Sequence, residues 1–151
     1  MPRGARALPA ECIERLRAAD AILHAGVLVE ASVLELLESL GPPVHAVHGN
    51  VDEPALLMRL PAVRLVEVEG ARIAMTHDGG PAGGRLGRLR RRFPGVDAVV
   101  FGHSHLPLHE TDGEFQIFNP GSPTERRRAP AHTMGMATAR GGRLEFALIE
   151  L

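Results

Sequence analysis

Short apolar segments alternate with helix-like patterns through the first two thirds of the chain. Runs of four or five mostly apolar residues, bounded by polar or glycine positions, are typical of buried strands in α/β proteins. Such strands are predicted over Ala21–His24, Val44–His48 and Ala98–Phe101. Apolar residues spaced three or four apart predict helices over Glu11–Ala19, Ser32–Leu40 and Arg85–Phe93. The second of these helices is expected to begin with a capping box formed by Ser32 and Glu35.

The remaining apolar pattern has a period of two, which is typical of exposed-edge and hairpin strands. Val63–Val68 and Arg72–Thr76 flank the turn Glu69-Gly70-Ala71 and predict a β-hairpin. Beyond Phe101 the pattern is entirely β, and four more strands are predicted over Leu108–Thr111, Phe115–Phe118, His132–Ala139 and Leu144–Ile149. Two β-rich halves with helices outside predict a layered α/β/β/α sandwich, built as a single domain.

Composition narrows the classes of protein that fit this pattern. The chain has 151 residues, of which 44% are hydrophobic, and a formal net charge of -1, so it is long enough to bury a core and is not a general nucleic-acid binder. No apolar run approaches membrane-spanning length and the first residues have no signal-peptide pattern, so no membrane association is expected. The single Cys12 excludes an internal disulfide, which is consistent with the cytoplasm as location.

Polar side chains with metal-binding chemistry follow three of the predicted strands. Asn50 follows the second strand, His77 follows the hairpin, and His103 and His105 follow Ala98–Phe101. A single His-x-His pair is usually a pair of solvated loop histidines, and Asn50 beside Gly49 is usually only a turn. Because these groups recur at the ends of strands, where ligands bind in α/β sheets, we expect them to share one rim.

The ordered motifs make a family resemblance specific. The series is Gly49-Asn50-Val51-Asp52, Thr76-His77, Gly102-His103-Ser104-His105 and Asn119-Pro120-Gly121-Ser122. It resembles the calcineurin-like metallophosphoesterases, in particular their short bacterial and archaeal YfcE-like phosphodiesterase branch, from about Ala18 to Leu151. The resemblance implies a four-layer α/β/β/α sandwich of two mixed sheets, with two divalent ions at the junction that hydrolyse phosphate esters.

The same resemblance assigns roles to residues. It implies that Asn50, His77 and His103 hold one ion and that His105 belongs to the other. Val51 stands where phosphomonoesterases of the superfamily have a histidine that protonates the leaving group, which favours small phosphate diesters with acidic leaving groups as substrates.

A substrate-contacting segment is expected after the last of these motifs. Its predicted residues are Asn119, Gly121, Ser122 and Arg126, the first residue of an arginine triplet. A guanidinium binds phosphate in a bidentate manner, although a solvated loop is an equally good interpretation of this triplet.

Two departures from the family pattern limit the expected metal site. The family begins with a strand ending in Asp-x-His, which is absent here, and its bridging Gly-Asp is replaced by Gly26-Val27. Valine cannot bind a metal. Two dications about 4 Å apart repel by on the order of 15 kcal/mol at an effective dielectric constant of about 20, so without the bridging carboxylate at Val27 we expect at most one divalent ion. Neutral ligands favour Mn, Ni, Zn or Fe over Mg.

Loss of the first strand has three explanations: a start site placed too late, a decayed copy, or a scaffold that has repurposed the fold. We expect truncation at Met1, and an open sheet edge that leads to marginal stability or to a homo-oligomer.

Two functions remain open. One is a metal-dependent phosphodiesterase that uses in-line attack of metal-activated water and is impaired in this chain. The other is a non-catalytic scaffold, as in the retromer subunit of the superfamily.

Two further features have simple structural interpretations. The five arginines of the Arg85–Arg92 helix would suit nucleic acid or an acidic partner, but such a run is more often a solvated helix face. Asp52 would orient a metal ligand or cap a helix beginning near Pro54, and capping is the simpler expectation.

Overall fold

The computed structural model describes residues 7–151, which form four helices and nine strands. The helices are α1 (Ala10–Ala18), α2 (Ala31–Glu38), α3 (Pro54–Arg59) and α4 (Arg85–Arg92). The first five strands are β1 (Ile22–His24), β2 (Val44–Ala46), β3 (Val63–Val68), β4 (Ala71–Thr76) and β5 (Ala98–Val100). The last four are β6 (Leu108–Asp112), β7 (Phe115–Asn119), β8 (Thr133–Arg140) and β9 (Arg143–Glu150).

A five-stranded mixed sheet forms one β layer, with the strand order β3-β4-β5-β7-β6. Strands β4, β5 and β7 run parallel, whereas β3 and β6 are antiparallel neighbours at the two edges. The second β layer consists of the parallel pair β1-β2 and the antiparallel hairpin β8-β9, which are separate sheets within residues 7–151. Among the strands that pair in parallel, β5 is entirely apolar and buried, as is typical of a strand covered on both faces.

The alternation of side chains along the strands separates the two faces of the five-stranded sheet. Ala74 and Val99 point to the face covered by α4, where Leu89 is buried with Phe101, Phe115 and Ile117. Met75 and Val100, each one residue later, point to the opposite face and pack with Val47 and Leu144 of the second β layer. This period of two fixes which side of each strand meets which layer.

The second β layer has its own covering of helices. Ile22 and Ala46 face α1, α2 and α3 and are buried with Cys12, Leu34, Leu37 and Leu56. Their neighbours Leu23 and Val47 face the five-stranded sheet. The order of layers is therefore helices, sheet, sheet, helix, which confirms the predicted α/β/β/α sandwich.

Two local predictions, the capping box of α2 and the length of the β3-β4 turn, were wrong. Helix α2 begins at Ala31, and the Ala31 amide donates to Oε1 of Glu53 at 2.7 Å, so no capping box forms at Ser32. The β3-β4 turn contains only Glu69 and Gly70, both with positive φ (49° and 78°), as a two-residue hairpin turn requires.

Two other expectations concern the ends and surface of the molecule. The predicted loss of a strand at Met1 lies outside the described residues, which begin at position 7. Among the helices of residues 7–151, none is both long enough and apolar enough to cross a membrane.

Candidate metal centre

The loops after β1, β2, β4 and β5 meet at one place between the two β layers. Glycines allow their close approach. A Cβ on Gly26 would lie 2.7 Å from Nδ1 of His77, and one on Gly49 would lie 2.4 Å from the backbone nitrogen of Val27. Both distances are shorter than real Cβ contacts, so the loop Ala25-Gly26-Val27 packs directly on His77 and on the backbone that leads to Asn50.

Three of the four predicted metal ligands converge at this junction. Oδ1 of Asn50 lies 3.1 Å from Nε2 of His77, and Nδ1 of His103 lies 3.2 Å from the same Nε2 atom. The two imidazoles meet edge to face, with ring centroids 5.1 Å apart. His77 is buried, His103 is half-buried and Asn50 is exposed, so the group opens to solvent on one side. We call Asn50, His77 and His103 the three-ligand cluster.

The hydrogen bond at Nδ1 of His77 determines whether Nε2 carries a proton. Nδ1 of His77 lies 2.8 Å from the carbonyl oxygen of Ala25, which only accepts hydrogen bonds. Nδ1 therefore carries the proton, and in the neutral ring Nε2 presents a lone pair toward the amide oxygen of Asn50. Two acceptors face each other across 3.1 Å. Either a cation between them or a half-turn of the amide, which presents Nδ2–H, makes this contact favourable.

The dimensions of the three-ligand cluster fit a small divalent ion. Ligand atoms 2.0–2.1 Å from a tetrahedral Zn²⁺ stand about 3.3 Å apart, close to the separations of 3.1 and 3.2 Å observed here. A backbone carbonyl holds the outer nitrogen of His77, as is usual for a metal-bound imidazole. No group of three or more His, Cys, Asp or Glu suited to a metal occurs among residues 7–151, and the three-ligand cluster contains only two residues of these types.

Burial also keeps the central imidazole in its ligating form. Burial lowers the pKa of His77, against the opposing effect of the hydrogen bond to Ala25. His77 is therefore neutral near pH 7, which is the form that binds metals.

His105 lies apart from the three-ligand cluster. Its Nδ1 is hydrogen-bonded to the carbonyl oxygen of Glu125 at 2.5 Å, and no hydrogen bond or ring contact in residues 7–151 joins it to Asn50, His77 or His103. Burial lowers the pKa of His105, and the nearby charge of Arg127 lowers it further. The structure thus joins three of the four predicted ligands by direct contacts, whereas His105 is hydrogen-bonded to the segment after β7.

Position 27 has the backbone of a turn but the side chain of a core residue. Val27 has φ of 62°, and its side chain is only 6% exposed and lies against Gly49. Valine rarely adopts positive φ, whereas Asp and Asn do so several times more often. The expected loss of a bridging ligand here therefore coincides with a backbone conformation that suits aspartate better than valine.

Asp52 connects the loops of the cluster and does not cap a helix. Its Oδ2 accepts from the Gly49 amide and its Oδ1 from the Val29 amide, both at 2.7 Å. The residue at the N-cap position of α3 is Glu53, and it makes no side-chain capping bond. Asp52 thus fixes the Asn50 loop against the Val27 loop, and the capping prediction is wrong.

The segment predicted to touch substrate instead supports the histidine loop. Asn119 is fully buried, and its amide nitrogen donates to the Gly102 carbonyl at 2.9 Å and to Oγ of Ser104 at 3.2 Å. Its Oδ1 accepts from the Gly121 amide at 3.0 Å. A Cβ at Gly121 would lie 2.0 Å from Oγ1 of Thr133.

Ser122 is also turned toward the protein. Its Oγ accepts from the Glu125 amide at 3.0 Å, in a turn that precedes the arginine triplet. Asn119, Gly121 and Ser122 therefore position the loop, and their contact with substrate remains a prediction.

Replacing Asn119 with alanine should destabilise the protein by about 3 kcal/mol, because the fully buried amide makes three hydrogen bonds, each contributing about 1 kcal/mol, and all three are lost. Urea denaturation measures this loss. The matched control is Asn50→Ala, which removes an exposed amide and should change the free energy of unfolding by less than about 0.5 kcal/mol. Equal effects of the two changes would contradict the structural role of Asn119.

Arg126 is hydrogen-bonded within its own loop, whereas Arg127 contacts the loop that carries His103. Nη1 of Arg126 donates to the carbonyls of Ala129 and Pro130, both at 3.1 Å. Nη1 of Arg127 donates to the His103 carbonyl at 2.8 Å. The structure therefore replaces Arg126 with Arg127 as the arginine beside the cluster. The sequence offers no means to choose between adjacent arginines.

The chain is similar to a known protein family over most of its length. Residues 4–142 match the calcineurin-like phosphoesterase superfamily domain. A probable metallophosphoesterase of Methanothermobacter thermautotrophicus is 33% identical over 129 residues, which cover 84% of this chain and 74% of that protein. Phosphodiesterase YfcE of Escherichia coli K12 is 36% identical over 99 residues, covering 61% of this chain and half of YfcE.

A solved structure has the same fold at lower sequence similarity. Wild-type Vps29 from Entamoeba histolytica, determined in complex with Zn²⁺, superposes with a TM-score of 0.77. The superposition covers 99% of this chain and 93% of that protein, at 20% sequence identity.

Proposed function

This chain belongs to the calcineurin-like phosphoesterase superfamily, and we propose that it is a metal-dependent phosphodiesterase of reduced activity that binds a single divalent ion. The observation that supports this most directly is that Oδ1 of Asn50 and Nδ1 of His103 lie 3.1 and 3.2 Å from the same atom, Nε2 of His77. The similarity to YfcE and to a probable metallophosphoesterase supports phosphate-ester hydrolysis as the reaction.

The chain's own residues supply binding and orientation. The amide oxygen of Asn50, Nε2 of His77 and Nδ1 of His103 would hold the ion, and the Ala25 carbonyl fixes the His77 ring. A divalent ion in such a site polarises a phosphate oxygen and lowers the pKa of bound water. Zinc, nickel, manganese and iron suit this nitrogen-rich set better than magnesium does. The Zn²⁺ complex of the similarly folded Vps29 supports the inclusion of zinc.

The activity is reduced because nothing at position 27 can bridge two ions. Val27 presents a buried hydrocarbon side chain where the family resemblance implies a carboxylate. His105, the remaining ligand implied for a second ion, keeps Nε2 available because its Nδ1 is hydrogen-bonded to the Glu125 carbonyl. A second ion there would still lack the carboxylate that offsets the repulsion between two close dications. One ion can stabilise the charge that develops on the phosphate, but it cannot clamp the attacking and the leaving oxygen together.

Phosphate diesters are the favoured substrate class because of the residue after Asn50. Val51 is 42% exposed at the mouth of the site and has no proton to donate. A leaving group that departs without protonation must be acidic, so diesters with acidic leaving groups are the expected substrates.

A scaffold is the second candidate function. Its specific support is Val27. A scaffold protein does not need a site for two ions, so it tolerates a valine at the position of the bridging carboxylate. The fold similarity to Vps29, a vacuolar protein sorting protein, adds to this support. The presence of all three ligands of the cluster favours the enzyme.

Hydrolysis of bis(p-nitrophenyl) phosphate separates the two candidates. We expect slow hydrolysis that requires added Mn, Ni, Zn or Fe and stops with EDTA, and slower hydrolysis of the monoester p-nitrophenyl phosphate. The metal requirement should follow a single binding isotherm with one ion per chain. Absence of both metal binding and metal-dependent hydrolysis would reject the enzyme and leave the scaffold.

A further inference from the structure

The segment that follows β7 closes over the histidine loop at two points. The carbonyl of Glu125 accepts from Nδ1 of His105, and Nη1 of Arg127 donates to the carbonyl of His103. These two hydrogen bonds attach residues 125–127 to both ends of the His103-Ser104-His105 loop. The guanidinium of Arg127 is therefore held against the loop that carries His103.

The three arginines of the triplet differ in their surroundings although they are adjacent. Arg126 uses Nη1 to hold the carbonyls of Ala129 and Pro130, so it stabilises its own loop. Arg128 is exposed and makes no hydrogen bond or ion pair within residues 7–151. Only Arg127 combines an exposed side chain with a contact to the histidine loop.

Arg127 has donors left after its contact with His103. A guanidinium has five N–H groups in a planar fork, and the contact with His103 uses one of them on Nη1. The edge formed by Nε and Nη2 is the one that binds two oxygens of a phosphate at once. No carboxylate of the described residues forms an ion pair with Arg127, so its charge is not neutralised by the protein.

Building on the proposed function, we infer that Arg127 binds the anionic phosphate of the substrate next to the metal cluster. It contacts non-bridging phosphate oxygens through Nε and Nη2 while His103 holds Nη1. The backbone at Arg127 has φ of 49°, an uncommon conformation for a non-glycine residue. The arginine recognises the phosphodiester group itself and leaves the two organic substituents unspecified.

The test compares Arg127→Met with Arg128→Met, which removes the same charge one position away. Both sites are exposed, and neither substitution changes a buried contact. In the zinc-loaded full chain, Arg127→Met should raise KM for bis(p-nitrophenyl) phosphate at least about tenfold, since a hydrogen bond between charged groups contributes about 1.5–3 kcal/mol. Arg128→Met should leave KM within about twofold. Arg127→Lys, which keeps the charge but not the fork, should fall between them.

A second measurement does not depend on catalysis. The Nε–H resonance of Arg127, identified as the one missing in Arg127→Met, should shift when inorganic phosphate is added, with and without zinc. The Arg128 resonance should not shift. If Arg127→Met hydrolyses the diester with unchanged KM and its resonance is insensitive to phosphate, the inference is wrong while the proposed enzyme stands. If the wild type neither binds zinc nor hydrolyses the diester, the proposed function fails. A phosphate-dependent shift at Arg127 would then still support the anion contact.

Discussion

Val27→Asp should increase the metal-dependent hydrolysis of bis(p-nitrophenyl) phosphate by about 100-fold, the equivalent of a few kcal/mol of transition-state stabilisation. Position 27 lies against Gly49, one residue before Asn50, so a carboxylate there reaches the cluster from the Val27 loop. An anion at this place offsets the repulsion of about 15 kcal/mol between two close dications at an effective dielectric constant of about 20. The number of bound ions per chain should rise from one to two.

The backbone favours this substitution. Val27 already has φ of 62°, which aspartate tolerates better than a β-branched residue. Val27→Asn is the matched control, because it has nearly the same shape and the same tolerance of positive φ but no charge. The asparagine variant should gain less than about tenfold in rate and should bind one ion. Equal gains from the two variants would show that backbone relief, not a bridging carboxylate, causes the effect. If Val27→Asp does not increase the rate of hydrolysis, Val27 is not the cause of the reduced activity.

His77→Ala should weaken zinc binding by at least about 100-fold, because the central ligand of a three-donor set is removed. His77 connects the other two ligands, since Asn50 and His103 both contact its Nε2 atom. Titration calorimetry of the metal-free protein with zinc measures the loss, and hydrolysis should disappear with it.

The controls for His77→Ala separate ligand loss from unfolding. His109→Ala removes an imidazole that is hydrogen-bonded to Gln116 on the surface of the five-stranded sheet, and zinc affinity should not change. His103→Ala removes a half-buried ligand with less packing than His77, so it tests the cluster in a protein that keeps its core. Thermal melts identify any variant that does not fold. Unaltered zinc affinity in a folded His103→Ala protein would exclude the cluster as the binding site.

The architecture could be predicted from the sequence because its strands are short apolar runs with clear boundaries. Parallel strands place their carboxyl ends at one edge, and for this reason the sequence predicts that Asn50, His77, His103 and His105 share one rim. The hairpin of β3 and β4 and the arginine-rich helix α4 lie within one or two residues of their predicted positions. The roles of Asn50, His77, His103 and His105 as metal ligands remain a prediction.

The details that sequence did not show depend on tertiary contacts between loops. Helix α2 begins where the carboxylate of Glu53 meets the Ala31 amide, and no local pattern contains both residues. Asn119 belongs to the family motif, but its amide is turned inward to hold the Gly102 carbonyl. The choice between Arg126 and Arg127 depends on a single backbone conformation, φ of 49°, in a loop of irregular structure.

The most direct measurement of the central claim is anomalous diffraction from crystals of the wild-type chain soaked in zinc, with data collected on both sides of the zinc absorption edge. The account predicts one strong peak enclosed by Oδ1 of Asn50, Nε2 of His77 and Nδ1 of His103. It predicts a second peak, near position 27, only in crystals of Val27→Asp. A wild-type map without a peak among those three atoms, or with its main peak elsewhere, would contradict the account.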